Sequence, residues 1–140
     1  MFICQVPVYR DDEFVDCLAS IVNDIADLHY VDTGIVFGGD MNVDLSVSGD
    51  LCYSLLHFAQ ELGLKFVYEK LPPDSKTFRV ESTGASSLID HFAVSQSLNS
   101  NLHAVQVLDS GINLSDHCPL AITVSVPDFT DSARSSQPKV

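Results

Sequence analysis

The stretch from residue 35 to residue 42 constrains the fold of this chain more than any other. Three large apolar residues, Ile35 to Phe37, predict a short buried strand, and Gly38 and Gly39 are expected to end it in a sharp turn. In open α/β sheets, ligands bind outside the carboxyl ends of the strands. Asp40 and Asn42 therefore follow the strand where a catalytic carboxylate and amide would lie, although both residue types also favour simple turns.

The segment before this stretch predicts a strand, a helix and the return to a parallel strand. Residues 2–8 form an apolar run with a proline near its end, which favours a strand. Residues 12–29 are expected to form an amphipathic helix, because apolar residues recur there every three or four positions. Together with the strand at Ile35, this order is typical of a parallel crossover unit.

The segment after this stretch continues as a mixed α/β domain. We expect a second helix over residues 51–62, ended by Gly63, and a turn over residues 82–86. Strands are expected over residues 64–68, 77–80, 88–94, 102–108 and 118–126. Residues 127–140 are rich in Ser, Pro, Asp and Lys, which indicates a disordered tail. The expectation is one α/β domain over residues 1–126, with a mixed sheet and two main helices.

Charge and composition limit the classes of function. The 140 residues include 7 basic and 19 acidic ones, for a formal net charge of −12. That sign disfavours tight binding to nucleic acid through phosphate neutralisation, and it suits a site that collects divalent cations. Neither a membrane-spanning run nor a signal-peptide pattern is visible, so an intracellular location, cytoplasmic or nuclear, is expected. The four cysteines are scattered without a CxxC pair, which predicts free thiols.

Two further strand boundaries carry polar residues that a core would not accept. Alternation within residues 88–94 places Asp90 on the same face as Phe92, where an unpaired carboxylate is costly. Asp90 therefore needs a partner, whereas His91 points to the opposite face and is expected to be structural. Asp116 and His117 directly precede the last strand, where a histidine can serve as a general base or hold a phosphate oxygen. For each motif alone, an ordinary structural role is the simpler interpretation.

Taken together, the three motifs resemble a known family. Gly39-Asp40-Met41-Asn42, Ile89-Asp90-His91-Phe92 and Ser115-Asp116-His117-Cys118-Pro119 occur in the order and approximate spacing of the endonuclease/exonuclease/phosphatase, or DNase I-like, superfamily. The stretch from Thr77-Phe78 to Ser95 is most similar to the endonuclease domain of non-LTR retrotransposons. The resemblance implies the second half of a DNase I-like four-layer α/β sandwich.

The resemblance also implies a chemistry and a role for each site residue. The family hydrolyses phosphodiester bonds with Mg²⁺ or Mn²⁺, with DNA as the implied partner. Asp40 would position or deprotonate the attacking water, and Asn42 would help hold the phosphate. Asp90 would orient His117 beside the scissile phosphate, and Asp116 would contribute to the metal environment.

Several alternatives remain open at this stage. The family's glutamate ligand for the metal has no counterpart here, so an inactive fragment is as consistent with the sequence as an active nuclease, and metal binding is expected to be weak. A phosphatase acting on a small phosphorylated substrate and a non-catalytic binding module are further candidates. The oligomeric state is not determined by the sequence. We also expect apolar strand residues such as Ile3, Phe37 and Phe92 to border an exposed face.

Overall fold

A computed structural model describes residues 2–3, 11–26 and 34–126 of the chain, and the elements below are those of these residues. Helices α1, α2 and α3 cover Asp11–Ala26, Asp50–Glu61 and Gln96–Asn99. Strands β1 to β4 cover Phe2–Ile3, Val36–Asp40, Leu64–Phe66 and Phe78–Val80. Strands β5 to β8 cover Ala85–Ser87, Asp90–Ser95, Leu102–Val107 and Leu120–Val124. A single 3-10 turn, Tyr68–Lys70, follows β3.

A four-stranded sheet in the order β1-β2-β6-β3 forms the centre of the described structure. Strands β1 and β2 are parallel, and β6 is antiparallel to both β2 and β3. The parallel pair separated by α1 confirms the predicted strand–helix–strand unit. The parts of that prediction that fall on residues 4–10 and 27–33 lie outside the described residues, as does the predicted disordered tail.

Strand β2 continues through both glycines, so the expectation that they end the strand is wrong. Gly38 pairs directly with Phe92 on β6. A Cβ atom at Gly38 would lie 2.2 Å from Cδ1 of the Phe92 ring. The glycine is therefore needed because an aromatic ring lies over its backbone, and the strand can carry on to Asp40.

The two main helices, whose existence was predicted, cover one face of this sheet. Phe14 and Leu18 of α1 and Leu55 and Phe58 of α2 are buried in one cluster with Phe37 of β2. Phe37 is fully buried, which contradicts the expectation that it borders an exposed face. Helix α2 ends next to Gly63, whose φ of 63° lies in the left-handed region that glycine adopts most easily.

The other face of the sheet packs against a two-stranded antiparallel ribbon. Strands β7 and β8 form this ribbon. Their partly buried side chains Leu102, Val105, Ile122 and Val124 pack on a second cluster built around Val67, Val94 and Leu98. Phe92 is also partly buried there. The sheet therefore has helices on one face and the ribbon on the other.

The turn predicted over residues 82–86 connects two paired strands. Residues 82–84 form the turn, and residues 85 and 86 already belong to β5, which pairs with β4. Cys17, Cys52 and Cys118 are free thiols, as predicted for these three positions. Among the described residues, no helix is long and apolar enough to cross a membrane.

We predict that Gly38→Ala destabilises the protein, because the new methyl group meets the Phe92 ring and the carbonyl of His91, 3.1 Å away. Overpacking of this kind costs about 1–3 kcal/mol. Urea-induced unfolding measures the loss. Combining Gly38→Ala with Phe92→Val makes room for the methyl group, so the double variant should lose less than the sum of the single variants. Additive losses would show that the ring contact is not the cause.

Candidate active site

Two aspartates face each other at the end of the central sheet. The antiparallel register pairs Asp40 at the end of β2 with Asp90 at the start of β6. Opposed residues of paired strands project to the same face, and like charges in that arrangement repel. A hydrogen-bond donor between the two carboxylates relieves this repulsion, and His117 supplies one.

The His117 ring lies between the two carboxylates. Its Nδ1 is 3.0 Å from Oδ2 of Asp90, the contact expected from the sequence. A carboxylate only accepts hydrogen bonds, so Nδ1 carries a proton and donates a hydrogen bond to Asp90. The other ring nitrogen, Nε2, is 3.9 Å from Oδ2 of Asp40. That gap is too long for a direct hydrogen bond, whereas an oxygen atom about 2.8 Å from each of the two atoms would bridge them.

Asn42 lies next to this pair on a strained turn. Its φ is 52°, in the left-handed region that asparagine tolerates better than most residues. Its backbone N–H donates to Oδ1 of Asp40 at 3.0 Å, which fixes the carboxylate that faces His117. The intervening Met41 N–H donates to the carbonyl of Ile89 at 2.9 Å and joins this turn to the start of β6.

Thr77 holds the strands that bring Asp90 and His117 together. It is fully buried, and its hydroxyl oxygen accepts the N–H groups of Ile89 at 3.1 Å and Asp90 at 3.0 Å. Its carbonyl accepts the N–H of Cys118, the residue after His117, at 2.7 Å. One residue thus fixes the backbone next to both members of the hydrogen-bonded pair.

Phe78, the next residue, contacts the histidine itself. Its ring centroid is 5.0 Å from that of His117, in a tilted arrangement, and the two residues form an isolated antiparallel bridge. An aromatic ring in this position limits the rotation of the imidazole. Together with Asp90, it leaves Nε2 directed toward Asp40.

Asp44 anchors the loop that follows Asn42. Its Oδ2 accepts the N–H of Leu88 at 3.1 Å, and its Oδ1 accepts both the N–H and the hydroxyl of Ser46. Lys76 Nζ is 3.9 Å from Oδ2. Burial by itself raises the pKa of the Asp44 carboxyl, but these hydrogen bonds and the lysine charge together hold that pKa below its ordinary value.

His91 supports the same loop from the core side. Its side chain is buried, and Nε2 donates to the carbonyl of Val43 at 2.7 Å. Burial lowers the pKa of His91, against smaller opposing contributions from the Val43 carbonyl and from the carboxylates of Asp44 and Asp90. The ring is therefore neutral at neutral pH, in the structural role that its position on the opposite face predicts.

Asp116 lies apart from this arrangement. It is exposed and borders a neighbouring groove with Arg79, Asp109 and Asn113. Its backbone carbonyl accepts the N–H of Arg79 at 2.9 Å. Within residues 2–3, 11–26 and 34–126, no group of three or more His, Cys, Asp or Glu side chains is placed to hold a metal ion. The described residues alone do not fit the Mg²⁺ site that the resemblance implies.

The comparisons with known proteins find similar solved structures. No family model and no curated protein matches the chain by sequence. The endonuclease domain of TRAS1, a telomere-specific non-LTR retrotransposon, superposes with a TM-score of 0.66 at 15% identity over 90% of this chain. An AP endonuclease from Archaeoglobus fulgidus gives a TM-score of 0.68 at 20% identity over 89% of this chain. A mannosyl-6-phosphatase from Bacteroides thetaiotaomicron gives 0.62 at 17% identity, also over 89%.

The chain has the endonuclease/exonuclease/phosphatase fold. This confirms the fold that the three sequence motifs indicate. The chain spans 56%, 60% and 50% of the length of these three structures, so it corresponds to about half of the domain that they contain. At these levels of identity the similarity establishes the fold, and the chemistry has to be argued from the site.

Sequence reasoning missed the residues that hold the site together. Thr77, Asp44 and Phe78 were assigned no functional part, since a threonine in a strand and an aspartate in a loop are common. The signal available for Thr77 and Phe78 was that they begin the predicted strand 77–80 and the stretch that resembles the family. For Asp44, the signal was a carboxylate two residues after Asn42, followed by Ser46, a spacing typical of a turn closed by its own side chain.

We predict that Thr77→Val is more destabilising than Thr77→Ser. The valine leaves the partly buried N–H groups of Ile89 and Asp90 without this acceptor, at a cost of up to about 1–3 kcal/mol for each unsatisfied group. The serine keeps the hydroxyl and loses one methyl group, at about 1 kcal/mol. The free energy of unfolding in urea distinguishes the two variants. Equal losses would mean that Thr77 acts through its methyl group alone.

We predict a pH-dependent effect of Asp44→Asn. Because folding lowers the pKa of the Asp44 carboxyl, its ionised form stabilises the folded protein above the ordinary carboxyl pKa of about 4. This stabilisation is lost as pH falls through the lower pKa of the folded state. At pH 7 the variant should be less stable by about 1–3 kcal/mol. The difference should shrink as pH falls below about 4. Unfolding curves at several pH values measure it, and a difference that stays constant with pH would contradict this assignment.

Proposed function

We propose that this chain provides half of the active site of a phosphoester hydrolase that acts on nucleic acid, as an endonuclease of the retrotransposon type. One observation carries the proposal: His117 is oriented by Asp90 and presents Nε2 to Asp40 across a gap of 3.9 Å. A base and a proton carrier that flank a space for one oxygen atom are what hydrolysis by water requires. The fold, shared with nucleases and phosphatases, supports this chemistry.

Each residue has a separate task in the proposed reaction. Asp40 holds or deprotonates the attacking water through Oδ2, and its other oxygen is fixed by the Asn42 N–H. His117, once protonated on both nitrogens, donates a hydrogen bond from Nε2–H to a phosphoryl oxygen, while its Nδ1–H stays hydrogen-bonded to Asp90. Asn42 supplies a neutral amide for a further phosphate oxygen. These fixed groups favour the charge distribution of the transition state without reorganising.

A divalent cation, Mg²⁺ or Mn²⁺, would supply the charge neutralisation that the acidic site lacks. The described residues provide two carboxylates near the proposed phosphate position, and no group of three or more His, Cys, Asp or Glu side chains among them is placed to hold a metal ion. Mg²⁺ gives up its waters reluctantly and is held by a small number of well-placed carboxylates. We therefore propose that this chain alone binds the ion weakly and that the complete site includes ligands from outside residues 2–3, 11–26 and 34–126.

Hydrolysis of a small phosphorylated substrate is the second candidate. A net charge of −12 repels a polyanion and favours a substrate with few charges. One structure of the same fold is a mannosyl-6-phosphatase. Both functions use the same site residues, so they differ in the substrate that the surroundings of the site admit.

We predict that the 140-residue chain shows little or no Mg²⁺-dependent nicking of supercoiled plasmid. Nicking should appear in a chimera that replaces the matched part of the TRAS1 endonuclease domain with residues 1–126. In that chimera, His117→Ala should lower the nicking rate by about 10²-fold or more, because it removes the proton carrier. Agarose gel electrophoresis measures the rate.

His103→Ala is the matched control, since His103 is exposed on β7 and bonds to Ser125. It should leave nicking unchanged. A chimera that releases phosphate from p-nitrophenyl phosphate and leaves the plasmid intact would favour the second candidate. Robust, chelator-sensitive nicking by the isolated chain would overturn the assignment of an incomplete metal site.

A further inference from the structure

A groove runs between the two main helices, on the side of the sheet away from the candidate active site. It has a volume of about 570 Å³. Leu18 of α1 and Phe58 of α2, both buried, lie at its base. The groove borders residues from Val15 to Asn23 on α1 and from Tyr53 to Glu61 on α2. Each span is about two helical turns, or roughly 12 Å.

Large apolar side chains remain exposed along this groove. Val15 is 49% exposed and Tyr53 is 63% exposed, although both lie beside the buried residues at its base. Single exposed apolar residues are common on protein surfaces, but two that border one groove with buried apolar residues at its base indicate an interaction site. Tyrosine is also among the residues that contribute most to binding energy in interfaces.

Among the described residues, the Asp, Glu, Lys and Arg residues of the two helices around the groove are all acidic, and His57 borders the groove 3.9 Å from Glu61. Helix α1 carries five acidic residues and α2 carries two, and neither contains Lys or Arg. Glu61 borders the groove itself. The basic residues of the described part of the chain, Lys65, Lys70, Lys76 and Arg79, all follow α2. An apolar groove with an acidic rim selects an occupant that is apolar on one face and basic on the other.

We propose that this groove binds an amphipathic helical segment of a partner protein that carries Lys or Arg beside its apolar residues. A helix laid in a groove inserts side chains spaced three and four residues apart, and two turns of groove accommodate such a set. A second copy of this chain is disfavoured, because a two-fold contact would place the same acidic helices against each other. The proposal does not rest on the proposed hydrolase activity, since α1 and α2 cover the sheet face opposite Asp40 and Asp90.

The direct test uses a designed peptide of about 18 residues with Leu on one helical face and Lys on the other. Fluorescence anisotropy of the labelled peptide measures its dissociation constant for the 140-residue protein. A peptide with Glu in place of every Lys is the matched probe and should bind at least about tenfold more weakly. Equal affinity of the two peptides, or no binding by the Lys peptide, would overturn the proposal.

Paired protein variants separate the groove from the overall acidity of the chain. Glu61→Lys and Glu81→Lys change the net charge equally, but Glu81 lies outside the groove. Glu61→Lys should weaken binding of the Lys peptide about tenfold, and Glu81→Lys by less than about twofold. Equal weakening by both would show that only net charge matters and would overturn the proposal.

A second pair tests the apolar contact. Tyr53→Ala should weaken binding about tenfold or more, whereas Leu114→Ala, at a fully exposed position outside the groove, should have no effect. Tyr53 is largely exposed, so its replacement leaves the core intact, and unfolding curves verify this. Unchanged binding by Tyr53→Ala, or peptide-induced NMR shifts that avoid residues 15–23 and 53–61, would overturn the proposal.

Discussion

The register between β2 and β6 is the constraint on which the site depends. It places Asp40 opposite Asp90 and Gly38 opposite Phe92. Because side chains alternate between the faces of a sheet, a slip of one residue would move Asp90 to the helix side and bring His91 out of the core. The contact of Phe92 over Gly38 fits this register, since a Cβ atom at Gly38 would lie 2.2 Å from the ring.

Hydrogen bonds to the backbone then hold the site residues in position. His117 lies outside the central sheet that carries the aspartates, in an isolated bridge, and Thr77 connects the two through the N–H groups of Asp90 and Cys118. Asp44 does the same for the loop after β2 through the N–H of Leu88. Small buried polar residues that accept main-chain donors fix distances more tightly than long surface side chains can.

The sequence predicted the fold and the reacting groups better than it predicted their supports. Apolar periodicity located α1 and α2, and the three Asp-containing motifs indicated the fold that the structural comparisons confirm. The strand through Gly38 and Gly39 was missed because glycine signals a turn unless the ring that covers it is known. Thr77 was missed because its importance lies in hydrogen bonds to residues 12 and 13 positions away. Asp116 is the opposite case, a residue that the sequence motif included in the site. The structure places it at a neighbouring groove, while the adjacent His117 enters the site.

The attachment of His117 to β4 has a consequence for the dynamics of the site. Proteins open locally in cooperative units of differing stability. His117 is bridged to Phe78 of β4, and the N–H of Cys118, the next residue, donates to the residue before β4. If this stretch separates from β4, the imidazole leaves with it, while Asp40 and Asp90 stay paired through β2 and β6. Hydrogen exchange of the Cys118 amide therefore reports how often the imidazole is withdrawn, and that equilibrium sets the fraction of molecules in which all three side chains meet.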